Sequence, residues 1–172
     1  VNPELLEKYA GERIRAWLDK SYSPDDLRWQ TNNSLYAIGS GGLFGTGLGN
    51  SKQKYLYVSE PQNDFIFSIV CEELGFVGAA FIILLFGLLV WRGVDIAKKC
   101  PNRFGSLLVL GIMAQIGFQV VLNIMVVTDT IPNTGIALPF FSYGGTALIL
   151  LLGEIGVVLS VSRKNNQRVE VS

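Results

Sequence analysis

The sequence predicts an all-α polytopic membrane protein, with a large extracytoplasmic loop that carries an amphipathic helix and precedes three transmembrane helices. The 172-residue chain is 49% hydrophobic and only 16% charged, with a mean hydropathy of +0.38, whereas about a quarter of an ordinary soluble domain is charged. Its formal net charge is zero, so no basic field favours nucleic acid as a partner. The chain has no histidine, and any acid–base chemistry therefore falls to Asp, Glu, Lys or Tyr.

Three apolar runs are long enough to cross the hydrocarbon core of a bilayer, which takes about 20 residues of helix. Residues 74–91 and 104–128 are uncharged, and the run that begins at 136 stays uncharged to 153. The predicted segments are, in chain order, an outer loop at 1–63, a helix at 64–97, a loop at 98–103, a helix at 104–128, a loop at 129–144, a helix at 145–162 and a tail at 163–172.

The basic residues predict the orientation, because cytoplasmic loops of membrane proteins are enriched in Lys and Arg. The stretch between the second and third predicted spans, at 129–134, has neither. The stretch after the first span and the C-terminal tail are both basic, and contain Arg92, Lys98, Lys99, Arg103, Arg163, Lys164 and Arg168. We therefore expect the 98–103 loop and the tail in the cytoplasm, and the 1–63 and 129–144 segments outside.

The outer segment begins with apolar residues at helical spacing, namely Leu5, Leu6, Tyr9, Ile14, Trp17 and Leu18. This pattern predicts an amphipathic helix that lies on the membrane surface or forms a solvated connection. The run Ser23-Pro24-Asp25-Asp26 is typical of a turn or a helix start. Because the chain starts with Val1 and the first long apolar run comes only after residue 60, we expect the C-terminal part of a longer protein.

Six glycines between residues 39 and 49 predict a tight, irregular backbone. The segment lacks the Lys-Ser/Thr ending of a nucleotide-binding P-loop, so a nucleotide cradle is not favoured. Its backbone N–H groups could still hold pyrophosphate oxygens.

Metal ligands are scarce in this sequence. Cys71 falls in an apolar run and Cys100 in a basic loop, at different levels of the membrane, which argues against a disulfide or a zinc site. The identity of any metal is unknown at this point.

Asp64, in the run PQNDFIF, is the first catalytic candidate because it places a carboxylate at the start of an apolar helix. Such a residue caps the helix or favours its dipole, or it acts as a base that is partly desolvated at the membrane edge. Lys54 and Glu60 put both signs of charge near the same outer surface. Glu72 and Glu73, a turn or two further on, are expected to be structural.

The run IALPFFSYGGT is the second candidate region. Pro139 and the Gly144-Gly145 pair would break or cap a helix, which exposes backbone groups at the outer mouth of the third span. Irregular backbone at membrane depth is tolerated only against protein or a wet cavity. We therefore expect this loop to line a cavity, with the hydroxyls of Ser142 and Tyr143 offered to a polar ligand.

Four of the polar residues inside the predicted spans are functional candidates. Gln115, Gln119 and Asn123 recur every four residues on one face of the second span, where such groups need partners, so they contact other helices or the substrate. Glu154 lies well inside the third span. An intramembrane acid is a functional candidate, and pairing with an Arg or Lys from elsewhere is the alternative.

Several motifs occur in order along the chain: SLYAIGSGG at 34–42, GTGLGNS at 45–51, QK at 53–54, PQNDFIF at 61–67, EELG at 72–75 and TGIALPFFSYGGT at 134–146. Together they resemble the SEDS family (shape, elongation, division and sporulation), the FtsW and RodA type of peptidoglycan glycosyltransferase. The resemblance covers nearly the whole chain. It implies a fold of roughly ten helices, of which this sequence is similar to the last three and the large outer loop before them.

The resemblance implies a multi-pass protein of the bacterial plasma (inner) membrane that polymerises lipid II into glycan strands at its outer face. Asp64 matches the family's essential loop aspartate and would deprotonate the acceptor sugar hydroxyl. The implied substrate-binding residues are Lys54, Glu60, Gln30, Ser142 and Tyr143. The resemblance admits a divalent cation (Mg²⁺ or Mn²⁺) and no organic cofactor. The implied partners are a class B penicillin-binding protein, which is a transpeptidase, and other membrane proteins of the divisome or elongasome.

Two positions depart from the family pattern. Gln62-Asn63 stands where many relatives have His-Thr, and Thr146-Ala147 where many have Ser-Ser; neither change removes the proposed base. The SYGGT run leans towards the FtsW or sporulation branch. Two other functions stay open: a lipid-linked precursor transporter (flippase) that uses Glu154 and the Gln115 face, and a non-catalytic division scaffold. Residues 1–172 alone are expected to be inactive.

Overall fold

The computed structural model describes residues 11–15, 17–18, 25–50, 64–142 and 144–169, excluding the side chains of residues 25–28 and 166–169. Within these ranges every regular element is helical, which confirms the predicted all-α architecture. The four long helices are α1 (Asp25–Gly41), α2 (Ile66–Lys98), α3 (Arg103–Val127) and α4 (Gly145–Val169). Residues 11–15 and 17–18 are also helical.

In the part of the chain that the structure describes, three helices are long and apolar enough to cross a membrane: α2, α3 and the Gly145–Asn165 part of α4. The most extensive packing joins α2 to α3, and α1 to α2. The shared core includes Ile82 and Phe86 of α2 with Val109 and Ile116 of α3, all buried. Because the three helices alternate in direction, the start of α2, the end of α3 and the start of α4 meet at one end of the bundle.

The glycine-rich segment docks into a break in α2. At Gly75 the backbone leaves the helical region (φ 68°, ψ −171°), so neighbouring N–H and C=O groups lose their intrahelical partners. Four backbone hydrogen bonds supply new ones: Thr46 N to Glu72 O (2.9 Å), Gly47 N to Glu73 O (3.1 Å), Phe76 N to Gly42 O (2.9 Å) and Val77 N to Leu43 O (3.2 Å). The break is therefore closed by backbone from outside the helix, as an apolar environment requires.

Glycine is required at this junction because the two backbones approach too closely for a side chain. A Cβ at Gly41 would meet the carbonyl of Cys71, and one at Gly45 would meet the carbonyl of Glu73. Gly45 also has a φ of +79°, which L-residues with side chains rarely adopt. The expected tight, irregular backbone is confirmed for residues 42–50, whereas Gly39 and Gly41 belong to the helix α1. The N–H groups that could have held pyrophosphate are used inside the protein, on Gly41, Glu72 and Glu73 carbonyls, so that possibility was wrong for them.

The N-terminal helical segments are tied to the end of α3 and the loop that follows it. Arg13 Nη1 donates to the Asn133 carbonyl, and Trp17 Nε1 donates to the Asp129 carbonyl, each at 3.0 Å. From α1, the buried Ser34 hydroxyl donates to the Val127 carbonyl at 3.0 Å. These N-terminal segments therefore cover the same end of the bundle that carries Asp64.

Candidate active site at the Asp64 end of the bundle

Asp64 lies two residues before α2 and is half-buried. The N-cap position of α2 is Phe65, and within the described residues no side chain caps the helix there. The Ser68 hydroxyl bonds back to the residue before the helix, donating to the Phe65 carbonyl at 2.7 Å. The simple capping interpretation of Asp64 is therefore not supported by the geometry.

Asp64 borders a cavity of about 250 Å³ between the start of α2, the middle of α3 and the start of α4. The other lining residues are Gln119, Ala137, Leu138, Pro139, Phe140, Ser142, Gly144, Ala147, Leu148 and Leu151. The prediction that the 136–146 run lines a cavity is confirmed. Of the residues predicted from sequence, the fold brings Asp64, Gln119 and Ser142 together, so a carboxylate, an amide and a hydroxyl face one apolar-walled space.

Asn123 fixes the position of Asp64 relative to the loop. Its side chain is fully buried, and Nδ2 donates to the Asp64 carbonyl at 2.8 Å and to the Ile136 carbonyl at 2.7 Å. One amide group thus joins the start of α2 to the beginning of the cavity-lining loop. Asn123 is therefore a positioning residue, in line with the expectation that the polar stripe contacts other parts of the protein.

The loop that lines the cavity is a closed turn. Leu138 N donates to Ser142 Oγ at 2.7 Å, and Ser142 N donates to the Leu138 carbonyl at 3.1 Å. Phe140, at the tip, has a φ of +66°, which is uncommon for a residue with a bulky side chain and signals local strain. The rings of Phe140 and Phe141 lie 6.4 and 6.2 Å from that of Phe86 on α2, which supports the turn from below.

Gly135 and Phe86 lie against this site, and neither is among the site residues predicted from the sequence. Gly135 has a φ of +70°, and a Cβ added there would lie 3.5 Å from Asp64 Oδ2. The carboxylate therefore faces the backbone that leads into the loop. The isolated glycine before an apolar run was the available signal for Gly135, whereas Phe86 is one of many apolar residues in its helix.

The other predicted residues lie elsewhere. Gln115 Nε2 donates to Glu154 Oε1 at 3.2 Å, which joins α3 to α4 near the middle of both helices. Neither is among the described residues that line the Asp64 cavity, and each lies one helical turn from a residue that does, Gln119 or Leu151. Gln30 is half-buried on α1 and is not among the described residues that line the cavity. Glu72 is 2% exposed, beside the break in α2. Lys54, Glu60 and Tyr143 lie outside the described residues.

The described residues contain no group of three or more His, Cys, Asp or Glu side chains that could hold a metal ion. Cys71 and Cys100 are both free thiols, as expected. At the cavity, Asp64 is the one carboxylate among the described lining residues. This is too few ligands for an all-protein cage, but Mg²⁺ is commonly held by one or two carboxylates together with substrate phosphates.

Comparison with known proteins identifies the family. The model of cell cycle proteins of the FtsW, RodA and SpoVE type matches residues 3–167. The chain belongs to the FtsW/RodA/SpoVE family. This confirms the resemblance to SEDS proteins, and with the three apolar helices it makes the chain part of a multi-pass membrane protein.

Two relatives from Bacillus subtilis illustrate the similarity. The chain is 52% identical to Stage V sporulation protein E over 159 residues, which cover 92% of this chain and 43% of that protein. It is 50% identical to a probable peptidoglycan glycosyltransferase FtsW over 133 residues, which cover 77% of this chain and 33% of that one. The chain thus spans well under half the length of these SEDS relatives.

Two solved structures share the fold. The first is a chain of a peptidoglycan synthase complex that is described as coordinating polymerisation and crosslinking. It superposes with a TM-score of 0.69 at 34% identity, and the match covers 92% of this chain and 43% of that chain. The second is an aspartate-to-alanine mutant of RodA, the rod shape determining protein of Thermus thermophilus. It superposes with a TM-score of 0.59 at 39% identity, and the match covers 77% of this chain and 40% of that chain. The helices described above therefore have the arrangement found in SEDS proteins.

Proposed function

We propose that the intact protein is a peptidoglycan glycosyltransferase that polymerises lipid II into glycan strands at the outer face of the bacterial inner membrane. The observation that carries this proposal is the position of Asp64, whose carboxylate borders the cavity closed by the 137–144 loop. Relatives named as probable peptidoglycan glycosyltransferases support the reaction class. The process served is cell division, elongation or sporulation.

In the proposed reaction, Asp64 removes the proton from the acceptor sugar hydroxyl as that oxygen attacks the anomeric carbon of the donor. The bond between the anomeric carbon and the lipid pyrophosphate breaks, and the pyrophosphate leaves with the bonding electron pair. A base must lie within hydrogen-bond reach of the proton that it takes, which a residue at the cavity wall satisfies. Gln119 and Ser142 line the same space and are proposed to orient sugar hydroxyls.

The proposed orientation follows from charge. The end of the bundle where α2 ends and α3 begins carries Lys98, Lys99 and Arg103, and basic ends of membrane helices face the cytoplasm. Asp64 and the 137–144 loop lie at the opposite end, which this proposal assigns to the outer face. Lipid-linked sugars on that leaflet would then reach the cavity from the bilayer.

A divalent cation and a protein partner are further parts of the proposal. Mg²⁺ or Mn²⁺ would bind Asp64 together with pyrophosphate oxygens and offset their charge, since one carboxylate with substrate phosphates suits Mg²⁺. Lys54 and Glu60 are proposed substrate contacts. The similarity to a chain of a complex that coordinates polymerisation and crosslinking supports a class B penicillin-binding protein as the partner.

A lipid-precursor transporter is the second candidate, and the Gln115–Glu154 hydrogen bond between α3 and α4 favours it. Polar pairs inside a membrane often mark transport pathways. Neither residue of the pair is among the described residues that line the Asp64 cavity, so the two candidates depend on different residues. A scaffold would depend on neither.

The experiment that tests the enzyme is lipid II polymerisation by the intact protein in the presence of its transpeptidase partner. Asp64→Asn keeps the shape of the side chain but removes the base, and we expect a rate loss of roughly 10²–10⁴-fold, the usual contribution of general base catalysis. Asp95→Asn is the matched control, because Asp95 lies at the other end of α2, bonded to Arg92 and Lys99. Equal rates for wild type and Asp64→Asn would place the chemistry elsewhere.

A further inference from the structure

A second cavity lies at the opposite end of the bundle from Asp64. It has a volume of about 370 Å³ and is formed by the α2–α3 loop, the first turns of α3 and the last turns of α4. Asn165 Nδ2 donates to the Ile96 carbonyl at 3.3 Å, which holds the end of α4 against the end of α2. The proposed glycosyl transfer makes no use of this cavity.

The walls of this cavity are amphipathic. Phe104, Leu108 and Val161 give it an apolar floor, and Asn102 and Lys164 contribute polar groups. The Lys164 side chain is exposed. A small polar ligand would leave the apolar floor uncovered, and a hydrocarbon would leave the polar rim unused. A molecule with a polar head and an apolar chain uses both.

The charge around the cavity is strongly positive. Five basic residues lie in the adjoining turns, namely Lys98, Lys99, Arg103, Arg163 and Lys164. In residues 92–108 and 158–169 the one acidic residue is Asp95. Its carboxylate is already bonded to Arg92 at 2.9 Å and Lys99 at 2.8 Å. The polar head of the ligand is therefore expected to be anionic.

Among the described residues, an exposed apolar surface continues from the cavity along α3. Gly111 lies three residues after Leu108 and so on the same face of the helix. A Cβ at Gly111 would meet no atom within 4 Å, so the helix surface is shallow there. Leu107, beside it, is 68% exposed. This surface provides a path for an acyl chain towards the middle of the membrane-length helix.

We propose that this cavity binds an anionic glycerophospholipid, with its phosphate near Lys164 and one acyl chain on the Leu108–Gly111 face of α3. Basic pockets between membrane helices on the cytoplasmic side commonly bind anionic headgroups. The apolar floor and the open face of α3 favour a lipid over free phosphate. The ligand would stabilise the junction of α2, α3 and α4, far from Asp64.

The test uses the intact protein in nanodiscs that contain equal amounts of palmitoyl-oleoyl phosphatidylglycerol and phosphatidylcholine. After extraction in mild detergent, native mass spectrometry counts the retained lipids. We expect phosphatidylglycerol to be retained at least fivefold more often, since one basic group near an anionic lipid contributes about 1 kcal/mol, or roughly fivefold. Equal retention of the two lipids would overturn the proposal.

Two variants localise the lipid. Lys164→Gln is expected to lower phosphatidylglycerol retention about fivefold, by the same conversion, and Leu108→Trp should abolish it by filling the cavity. Arg15→Gln is the matched control, because Arg15 is also an exposed basic residue but belongs to the segment packed at the Asp64 end of the bundle. An equal loss in Arg15→Gln, or full retention in Leu108→Trp, would overturn the proposed position.

A charge-reversal variant and a phosphate competition complete the test. If Leu108→Trp does not fold, Lys164→Glu is used instead, because this substitution of an exposed residue reverses the charge without filling the cavity. Unchanged retention of phosphatidylglycerol by Lys164→Glu would contradict the proposal. Excess inorganic phosphate added before extraction should not displace the lipid. Displacement by phosphate alone would indicate a simple anion site and overturn the assignment to a phospholipid.

Discussion

Replacing Asn123 should separate catalysis from stability, because one amide group positions Asp64. In Asn123→Leu the carbonyls of Asp64 and Ile136 lose their donor. Both residues are only half-buried, so each carbonyl costs about 1 kcal/mol, the low end for an unsatisfied acceptor. Leucine also removes Asn123 Oδ1, which is buried without a hydrogen-bond partner among the described residues, and this offsets about 1 kcal/mol.

The free energy of unfolding of Asn123→Leu should therefore fall by only about 1 kcal/mol. Its polymerisation rate should fall by roughly 10²-fold, because a displacement of about 1 Å of a catalytic group costs that much. Lipid II polymerisation and unfolding in mixed micelles with increasing SDS would be measured on the same preparations of intact protein. Gln115→Leu, on the same helix but bonded to Glu154, is the control. Wild-type polymerisation by Asn123→Leu would refute the positioning role.

Three further substitutions test the docked loop, the support of the cavity turn and the intramembrane acid. Gly45→Ala should destabilise the protein by roughly 2–4 kcal/mol, through strain at positive φ and collision with the Glu73 carbonyl. Gly39 is a helical glycine with open space around it, so Gly39→Ala should stabilise the protein by about 0.5–1 kcal/mol. The reverse order of the two variants in thermal unfolding would contradict the docked-loop geometry. Phe86→Ala should cost roughly 3–5 kcal/mol and slow polymerisation, because Phe86 supports both loop phenylalanines; a stability loss with unchanged polymerisation would show that the turn holds without it. Glu154→Gln should leave the polymerisation rate within about twofold of wild type, because Glu154 is not among the described residues that line the cavity. The change also keeps the shape of the side chain and its capacity to accept a hydrogen bond. A large loss of polymerisation, together with loss of lipid II translocation in liposomes, would favour the transporter.

The membrane helices could be predicted because the bilayer imposes a simple requirement. A helix that crosses hydrocarbon needs about 20 apolar residues, and three such runs stand out from their polar surroundings. The helix ends could be predicted as well, because the basic 98–103 loop and the 129–144 loop with its prolines separate the apolar runs. Asp64 and Ser142 could be proposed as site residues because both lie at or just before the start of a predicted membrane helix. The fold places both at one cavity.

The remaining features depend on contacts between distant segments. The helix α1 contains few apolar residues, and its buried Ser34 and Ala37 give no marked periodic pattern. The break in α2 at Gly75 is filled by backbone from residues 42–47, and backbone hydrogen bonds leave no side-chain signal beyond the glycines. Gln115 and Asn123 lie on one predicted stripe yet have unrelated partners, which helical spacing alone cannot distinguish.

The role of Asp64 as the base of a glycosyltransferase is tested most directly by comparing chemistry with binding. Lipid II affinity and the maximal polymerisation rate would be determined for wild type, Asp64→Asn and Asp95→Asn of the intact protein in the same nanodiscs. Loss of the rate in Asp64→Asn alone, with lipid II affinity retained, is the predicted result. A wild-type rate in Asp64→Asn, or an equal loss in Asp95→Asn, would contradict it.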